Sequence, residues 1–359
     1  MNPNSTTPVL AAVFSAEAPA NIALIKYMGK VNTPTSRNRP TNSSLSLTLN
    51  NLITRVEIRP LTSSANTYDI WAPLVADGFI ETQLSDSGRR RYLAHFEFLK
   101  QKLSVHGTFE IRSANNFPAD CGVASSASSF AALTMATYKL AQSQNPKLDL
   151  GLLKLADYSR VGSGSSIRSF LSPFVIWDEN GITARDFSKL DLFHELVIVD
   201  REKKEIGSSE AHQRVASSLL FRGRPERAEE RLTLLLAALE AGEWVRAHEI
   251  VWSEFWDMHS LFSTSEPPFQ YMSDISMKVL EFYSRKWSEH GDGPLITMDA
   301  GANVHLIYRR DQESMAREWA LESGFEILSQ LRPVVAKLGM GAPTDDLNIL
   351  NKGATEALL

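Results

Sequence analysis

Apolar residues recur every three to four positions over residues 92–103 (Leu93, Phe96, Leu99, Leu103), which predicts a helix buried along one side. The same period predicts a helix over 122–141 that buries Ala127, Phe130, Ala131, Thr134 and Tyr138, and a short one over 152–160. Three long helices follow, at 225–241, 244–262 and about 269–290. Runs rich in β-branched and alternating apolar residues predict strands at 46–49, 55–58, 107–112, 173–177 and 196–199. Segments 294–299 and 304–308 read as paired strands around Ala300-Gly301-Ala302-Asn303, and 9–14 reads as a first strand leading into Ala18-Pro19-Ala20-Asn21. A polar loop at 32–42, rich in Pro, Thr, Ser and Asn, could close over a ligand. The mixture of strands, helices and Gly/Ser loops predicts an α+β fold.

At 359 residues the chain exceeds the size at which one core stops growing, so two lobes around a cleft are expected. The boundary falls near 190–200, giving halves 1–195 and 196–359, with 180–193 as the only candidate linker. Hydrophobic residues at 43% and charged residues at 22% exclude disordered and fibrous classes. A net charge of −5 with mixed signs offers no general field for nucleic acid, so an anionic ligand must be held locally. The single cysteine, Cys121, allows no intrachain disulfide and suits a reducing, cytoplasmic compartment. No apolar run approaches the ~20 residues that span a bilayer, and the stretch at 9–14 lacks the basic flank of a secretion signal.

Several short motifs carry chemistry. Gly122-Val123-Ala124-Ser125-Ser126 opens a long helix, where free N–H groups, small side chains and two hydroxyls suit an anion or a magnesium ligand. Taken alone the run equally describes a helix start packed on a sheet, and no Gly-Lys-Ser/Thr follows to make it a Walker A loop. Lys26 and Lys30, beside Tyr27 and Gly29, either clamp phosphates or are solvated on an element edge. Ser163, Ser165 and Arg168 bring two hydroxyls and a guanidinium fork within six positions, suited to a carboxylate or phosphate, although a plain flexible loop would have the same glycines. Asp299 ends an apolar strand before Ala300-Gly301, a placement shared by catalytic carboxylates and ordinary turns. The eight histidines show no metal-ligand pairing, and His259 and His305 read as structural.

In order, Ala18-Pro19-Ala20-Asn21-Ile22-Ala23, Lys26-Tyr27-x-Gly29-Lys30, Pro40-Thr41-Asn42-Ser43-Ser44-Leu45-Ser46, Asn115-Asn116-Phe117-Pro118, Ala124-Ser125-Ser126-Ala127, Gly162-Ser163-Gly164-Ser165 with Arg168-Ser169, and Asp299-Ala300-Gly301 resemble diphosphomevalonate decarboxylases. That family belongs to the GHMP kinase superfamily, and the resemblance spans about residues 15 to 330. It implies a two-lobed GHMP fold with ATP, Mg2+ and 5-diphosphomevalonate meeting in the interdomain cleft, and a homodimer. It further implies that Asp299 is the catalytic carboxylate, that Lys26 sits beside the reacting groups, and that Arg168 and Asn21 hold the substrate carboxylate and hydroxyl. Tyr27, Lys30, Ser163 and Ser165 would grip the diphosphate; Asn116, Gly122, Ala124, Ser125 and Ser126 would take ATP, with Ser125 or Ser126 near the metal. One of Arg89, Arg90 and Arg91 would reach the substrate. Met28 replaces the family's tryptophan and Ala302 its proline, departures that bear on substrate fit. Alternatives are a phosphomevalonate decarboxylase, a mevalonate 3-kinase, which would lack the Lys26 and Asp299 pair, and a non-catalytic ligand-binding descendant of the fold.

Overall fold

Two sheets, each backed by helices, carry the chain, and the computed structural model describes residues 12–31, 33, 36–61, 67–118, 125–200 and 205–330. In chain order the first half runs β1 (Phe14–Ile25), β2 (Ser44–Pro60), β3 (Ile70–Pro73), β4 (Ile80–Glu81), α1 (Asp86–Leu103), β5 (Phe109–Asn115), α2 (Ser125–Gln144), α3 (Leu152–Gly162), a 3-10 segment (Gly164–Phe170), β6 (Phe174–Asp178) and β7 (Gly181–Arg185). The second runs β8 (Leu192–Val197), α4 (Ser208–Arg214), α5 (Arg224–Ala241), α6 (Trp244–Ser263), α7 (Asp274–His290), β9 (Leu295–Thr297), β10 (Val304–Arg309), α8 (Glu313–Ser323) and β11 (Ile327–Gln330).

β2 organises the first sheet: β1 lies antiparallel along one edge, while β6 pairs with its start and β5 with its end on the other. The β1–β2 register shifts between Pro19, opposite Ile53, and Ala20, opposite Leu49, which leaves Asn50, Asn51 and Leu52 outside the regular pairing. That interruption is why the alternation reads as two short strands, at 46–49 and 55–58, in place of one long one. It also marks where β1 changes core. Ala16 and Ala18 pack with α1, α2 and the outer strands, whereas Ala20, Ile22 and Leu24 pack with β8, β10 and helices α5, α6 and α7. The second sheet is antiparallel in the order β11-β8-β10-β9.

The α+β class holds, and the structure corrects several boundaries. Residues 180–193, expected as a linker, contain β7, hydrogen-bonded to β6; its Thr183, Ala184 and Arg185 are exposed, so the segment lacks the apolar pattern of a strand. α7 starts at Asp274 and not near 269, because Ser273 caps it by exchanging hydrogen bonds with Ser276. α2 is buried nearly all round and extends to Gln144. The strand expected at 9–14 falls mostly outside the described residues, as do positions 32, 34 and 35 of the polar loop and residues 122–124 of the expected α2 start.

Between α5 and α6 lies a buried ionic cluster. Arg224 and Glu254, both without solvent exposure, form a forked pair; Arg231 bonds Glu254 at 3.0 Å and Asp257 at 2.6 Å, and Arg227 bonds Asp257 at 2.8 Å. Glu254 Oε1 also accepts the backbone N–H of Lys26 at 2.9 Å, so this helix pair fixes the chain directly after β1. Removing one partner of such a pair strands a buried charge, and Glu254→Gln should lower stability by about 3–5 kcal/mol. Urea denaturation checks it: a midpoint shift equivalent to less than about 1 kcal/mol would show that Asp257 alone compensates Arg224.

Candidate active site

β1 delivers Lys26 one residue past its end, and the strand β9 delivers Asp299 two residues past its own. Lys26 Nζ donates to Asp299 Oδ1 at 2.7 Å and to the Ala23 carbonyl at 2.7 Å. The lysine is 1% exposed while the Asp299 side chain is 21% exposed, so the carboxylate faces the open side of the pair. Burial lowers the Lys26 pKa and the Asp299 and Glu254 charges oppose that shift. Beneath Asp299, His259 hydrogen-bonds to its backbone and is driven by burial to a pKa of about 3, which keeps it a neutral packing group.

The pair opens on a cavity of about 270 Å³. Of the residues predicted from sequence, Lys26, Tyr27, Lys30, Ser125, Ser126, Ser163, Ser165, Arg168 and Asp299 line it together, joined by Met28. Arg168 is 3% exposed, donates Nε to Asn21 Oδ1 at 3.2 Å and Nη1 to Ser44 Oγ at 2.8 Å, and burial brings its pKa down to about 10, still charged at neutral pH. Tyr27 packs edge-on against Trp177 and donates its hydroxyl to the Asn38 carbonyl at 3.1 Å. Gly164 is required beside it, since a Cβ there would lie 2.6 Å from the Tyr27 ring and hydroxyl. Ser163 Oγ stands 3.3 Å from Ser126 Oγ and 3.4 Å from Ser165 Oγ, a hydroxyl row joining the start of α2 to the 3-10 segment.

Two predicted residues sit away from the cavity surface. Asn21 is 1% exposed and has its amide on Ser169 Oγ at 2.9 Å and the Ser165 carbonyl at 3.2 Å, so it buttresses Arg168 from behind. Asn116 spends both side-chain groups on the backbone of Ile53 and Asn51, at 2.7 and 2.8 Å, tying the β5 exit to β2. Gly122 and Ala124 lie outside the described residues. Of the three arginines, Arg91 lines the cavity and donates Nη2 to the Gly162 carbonyl at 2.6 Å, whereas Arg89 stacks over Trp71.

Sequence reading missed Ser208, Ser209, His212 and Met258, all on the cavity wall. Gly207-Ser208-Ser209 at the start of α4 repeats the glycine-plus-hydroxyl signal noted at 122–126 and 162–166, and could have been found by it. Among the described residues no group of three His, Cys, Asp or Glu side chains could hold a metal ion, and the charged groups on the cavity wall are Lys26, Lys30, Arg91 and Arg168 with Asp299 as the one carboxylate. Such a lining suits a polyanion presented to a single acid.

Lys30 has its pKa lowered to about 8, first by burial and then by Arg91. It is an ammonium below that pH and an amine above it, so affinity for an anion falls as pH rises from about 7 to 9, by about tenfold for one charged contact. Calorimetric titration with inorganic diphosphate checks this against Lys30→Met, which should lack that decline. The same pH profile in both proteins would remove Lys30 from the anion site.

Residues 18–187 match the family model "Diphosphomevalonate decarboxylase-like N-terminal domain", and residues 196–337 match "Mevalonate 5-diphosphate decarboxylase C-terminal domain". The diphosphomevalonate decarboxylase of Debaryomyces hansenii is 31% identical over 326 residues, covering 84% of this chain and 80% of that protein. The crystal structure of a mevalonate diphosphate decarboxylase from Legionella pneumophila superposes with a TM-score of 0.82 at 43% identity, covering 88% of this chain and 100% of the other. A solved complex with MVAPP, AMPPCP and magnesium is 25% identical with a TM-score of 0.75, covering 88% of this chain and 96% of the other. With both halves matched in order and a curated relative aligned over most of its length, the chain belongs to the diphosphomevalonate decarboxylase family.

Proposed function

We infer that the chain carries out its family's reaction, the ATP-dependent conversion of 5-diphosphomevalonate to isopentenyl diphosphate, ADP, phosphate and carbon dioxide, in the mevalonate route to isoprenoids. The observation that carries this reading is the buried Lys26–Asp299 pair, whose carboxylate faces a cavity that Lys30, Arg91, Arg168 and several serine hydroxyls also line. The substrate is a β-hydroxy acid with no neighbouring carbonyl to accept electrons when carbon dioxide leaves, and hydroxide is a poor leaving group. Phosphorylating the tertiary hydroxyl removes that obstacle.

Asp299 orients that hydroxyl and takes its proton as the oxygen attacks the γ-phosphorus of ATP, while Lys26 offsets the negative charge gathering at the transferred group. Arg168, charged and backed by Asn21 and Ser44, receives the substrate carboxylate. The C–C bond then breaks, its electron pair forms the alkene, and the C–O bond to phosphate breaks with release of phosphate and carbon dioxide. Tyr27, Lys30, Arg91, Ser163 and Ser165 hold the diphosphate. Ser125 and Ser126 face the ATP phosphates, and they suit a magnesium ion that arrives with the nucleotide, since magnesium is held largely by phosphates and water. When bound, that ion supplies charge neutralisation to the phosphates.

The reading divides the chain into halves 1–195 and 196–359; the family models end at 187 and start at 196, while β8 begins the second sheet already at Leu192, so the sheets change over between β7 and β8. No described helix is long and apolar enough to cross a membrane. A cytoplasmic homodimer completes the proposal, with the lone cysteine supporting a reducing compartment.

Stoichiometry tests it. With ATP, magnesium and 5-diphosphomevalonate the purified protein should release ADP, phosphate and carbon dioxide in equal amounts, faster than with mevalonate or its 5-phosphate assayed alongside. ADP without carbon dioxide would make it a kinase; a faster monophosphate reaction would make it a phosphomevalonate decarboxylase; binding without turnover would leave a non-catalytic descendant.

A further inference from the structure

His212 lines the same cavity from the second half of the chain, on α4, and none of the motifs read from the sequence includes it. Its Nδ1 accepts the backbone N–H of Gly29 at 3.0 Å. A backbone N–H can only donate, so Nδ1 must be unprotonated and the neutral ring carries its proton on Nε2. Gly29 is packed closely at this point: it sits at φ +99°, and a Cβ there would lie 2.6 Å from Phe221 and 2.7 Å from Thr41, so no other residue fits. The ring is held a second time by Tyr27, whose centroid is 4.4 Å away. Among the described residues Nε2 has no hydrogen-bond partner.

We propose that His212 is a substrate-binding residue that donates Nε2–H, as a neutral imidazole, to the diphosphate end of the substrate. The proposal rests on the decarboxylase reading for the identity of that substrate. Burial, and after it the Lys30 and Arg168 charges, keep its pKa well below the usual histidine value. A neutral donor there adds a hydrogen bond to a phosphate without adding another cation to a cavity that already holds Lys26, Lys30, Arg91 and Arg168. The fixed tautomer makes this donor available at every pH where the fold is intact, in contrast to Lys30, which loses its charge near pH 8. The Gly29 bond also ties the donor to the Lys26-Tyr27-Met28-Gly29-Lys30 segment, so phosphate recognition and the reactive lysine share one rigid piece of backbone.

Two substitutions separate this role from a structural one. Asn reproduces the Nδ1 acceptor for Gly29 but does not reach the ligand, whereas Gln reproduces the Nε2 donor and gives up the Gly29 bond. His212→Asn should raise KM for 5-diphosphomevalonate by about tenfold or more, the loss expected for a hydrogen bond to a charged group, with KM for ATP within about twofold of the parent. His212→Gln should recover most of the loss. Equal or better rescue by Asn, parent-like values in both, or a shift in KM for ATP alone would overturn the assignment. Independently of any variant, addition of inorganic diphosphate to the 15N-histidine-labelled parent should move one Nε2-protonated ring resonance; an unmoved spectrum under saturating diphosphate would overturn it too. Titration of both variants with inorganic diphosphate requires no turnover. If the parent releases no carbon dioxide yet Gln binds diphosphate better than Asn, the reaction assignment falls and His212 stands; with carbon dioxide released and that order absent, only His212 falls.

Discussion

An ammonium group with almost no solvent exposure, Lys26 Nζ, is the constraint around which the two halves of this protein are joined. Removing such a charge from water costs several kcal/mol, and it is tolerated only where a close, well-directed anion and further hydrogen bonds answer it. β1 supplies the lysine and the Ala23 carbonyl, while the second half supplies Asp299 through β9 and, through α6, the Glu254 carboxylate that holds the Lys26 backbone. Neither half alone contains the pair. Packing of β1 against the second core and completion of the reactive centre are therefore the same event.

The polar groups around that centre repeat the pattern at smaller scale. Arg168 is buried and answered by Asn21 and Ser44, Arg91 by the Gly162 carbonyl, and Tyr27 by Asn38. All three are held by neutral partners, so the two guanidinium charges stay available to a ligand rather than being consumed by a protein carboxylate, while the single Tyr27 O–H is given to Asn38. Lys26 is the exception, and its carboxylate partner is the group assigned to the chemistry. An arrangement that leaves cations unneutralised is a poor way to stabilise a fold and a good way to bind a polyanion.

Much of this was legible in the sequence, for identifiable reasons. Long helices such as α5 and α6 bury one strongly periodic face, and the ordered motifs named the residues that meet in the cavity. What was not legible depended on packing direction. Only the position of α1 on the sheet decides that Arg91 turns to Gly162 while Arg89 turns to Trp71. Asn21 and Asn116 carry the polarity of ligand-binding residues, yet their hydrogen bonds are spent on Ser169 and on the Ile53 and Asn51 backbone. β7 was hidden by its exposed outer face, and His212 by having no local pattern at all, since its partner Gly29 lies 183 positions away.

The central claim is that Asp299 acts on the hydroxyl before any bond to carbon breaks, because phosphorylation creates the leaving group. Single-turnover rapid quench of Asp299→Asn, loaded with ATP, magnesium and 5-diphosphomevalonate, tests it most directly. The variant keeps the side-chain shape but cannot accept the proton, a loss of about 100- to 10,000-fold for a general base. The account predicts that it binds both ligands yet forms neither 3-phosphorylated substrate nor carbon dioxide at an appreciable rate. Rapid accumulation of the 3-phosphorylated species without carbon dioxide would contradict it and assign Asp299 to the second step.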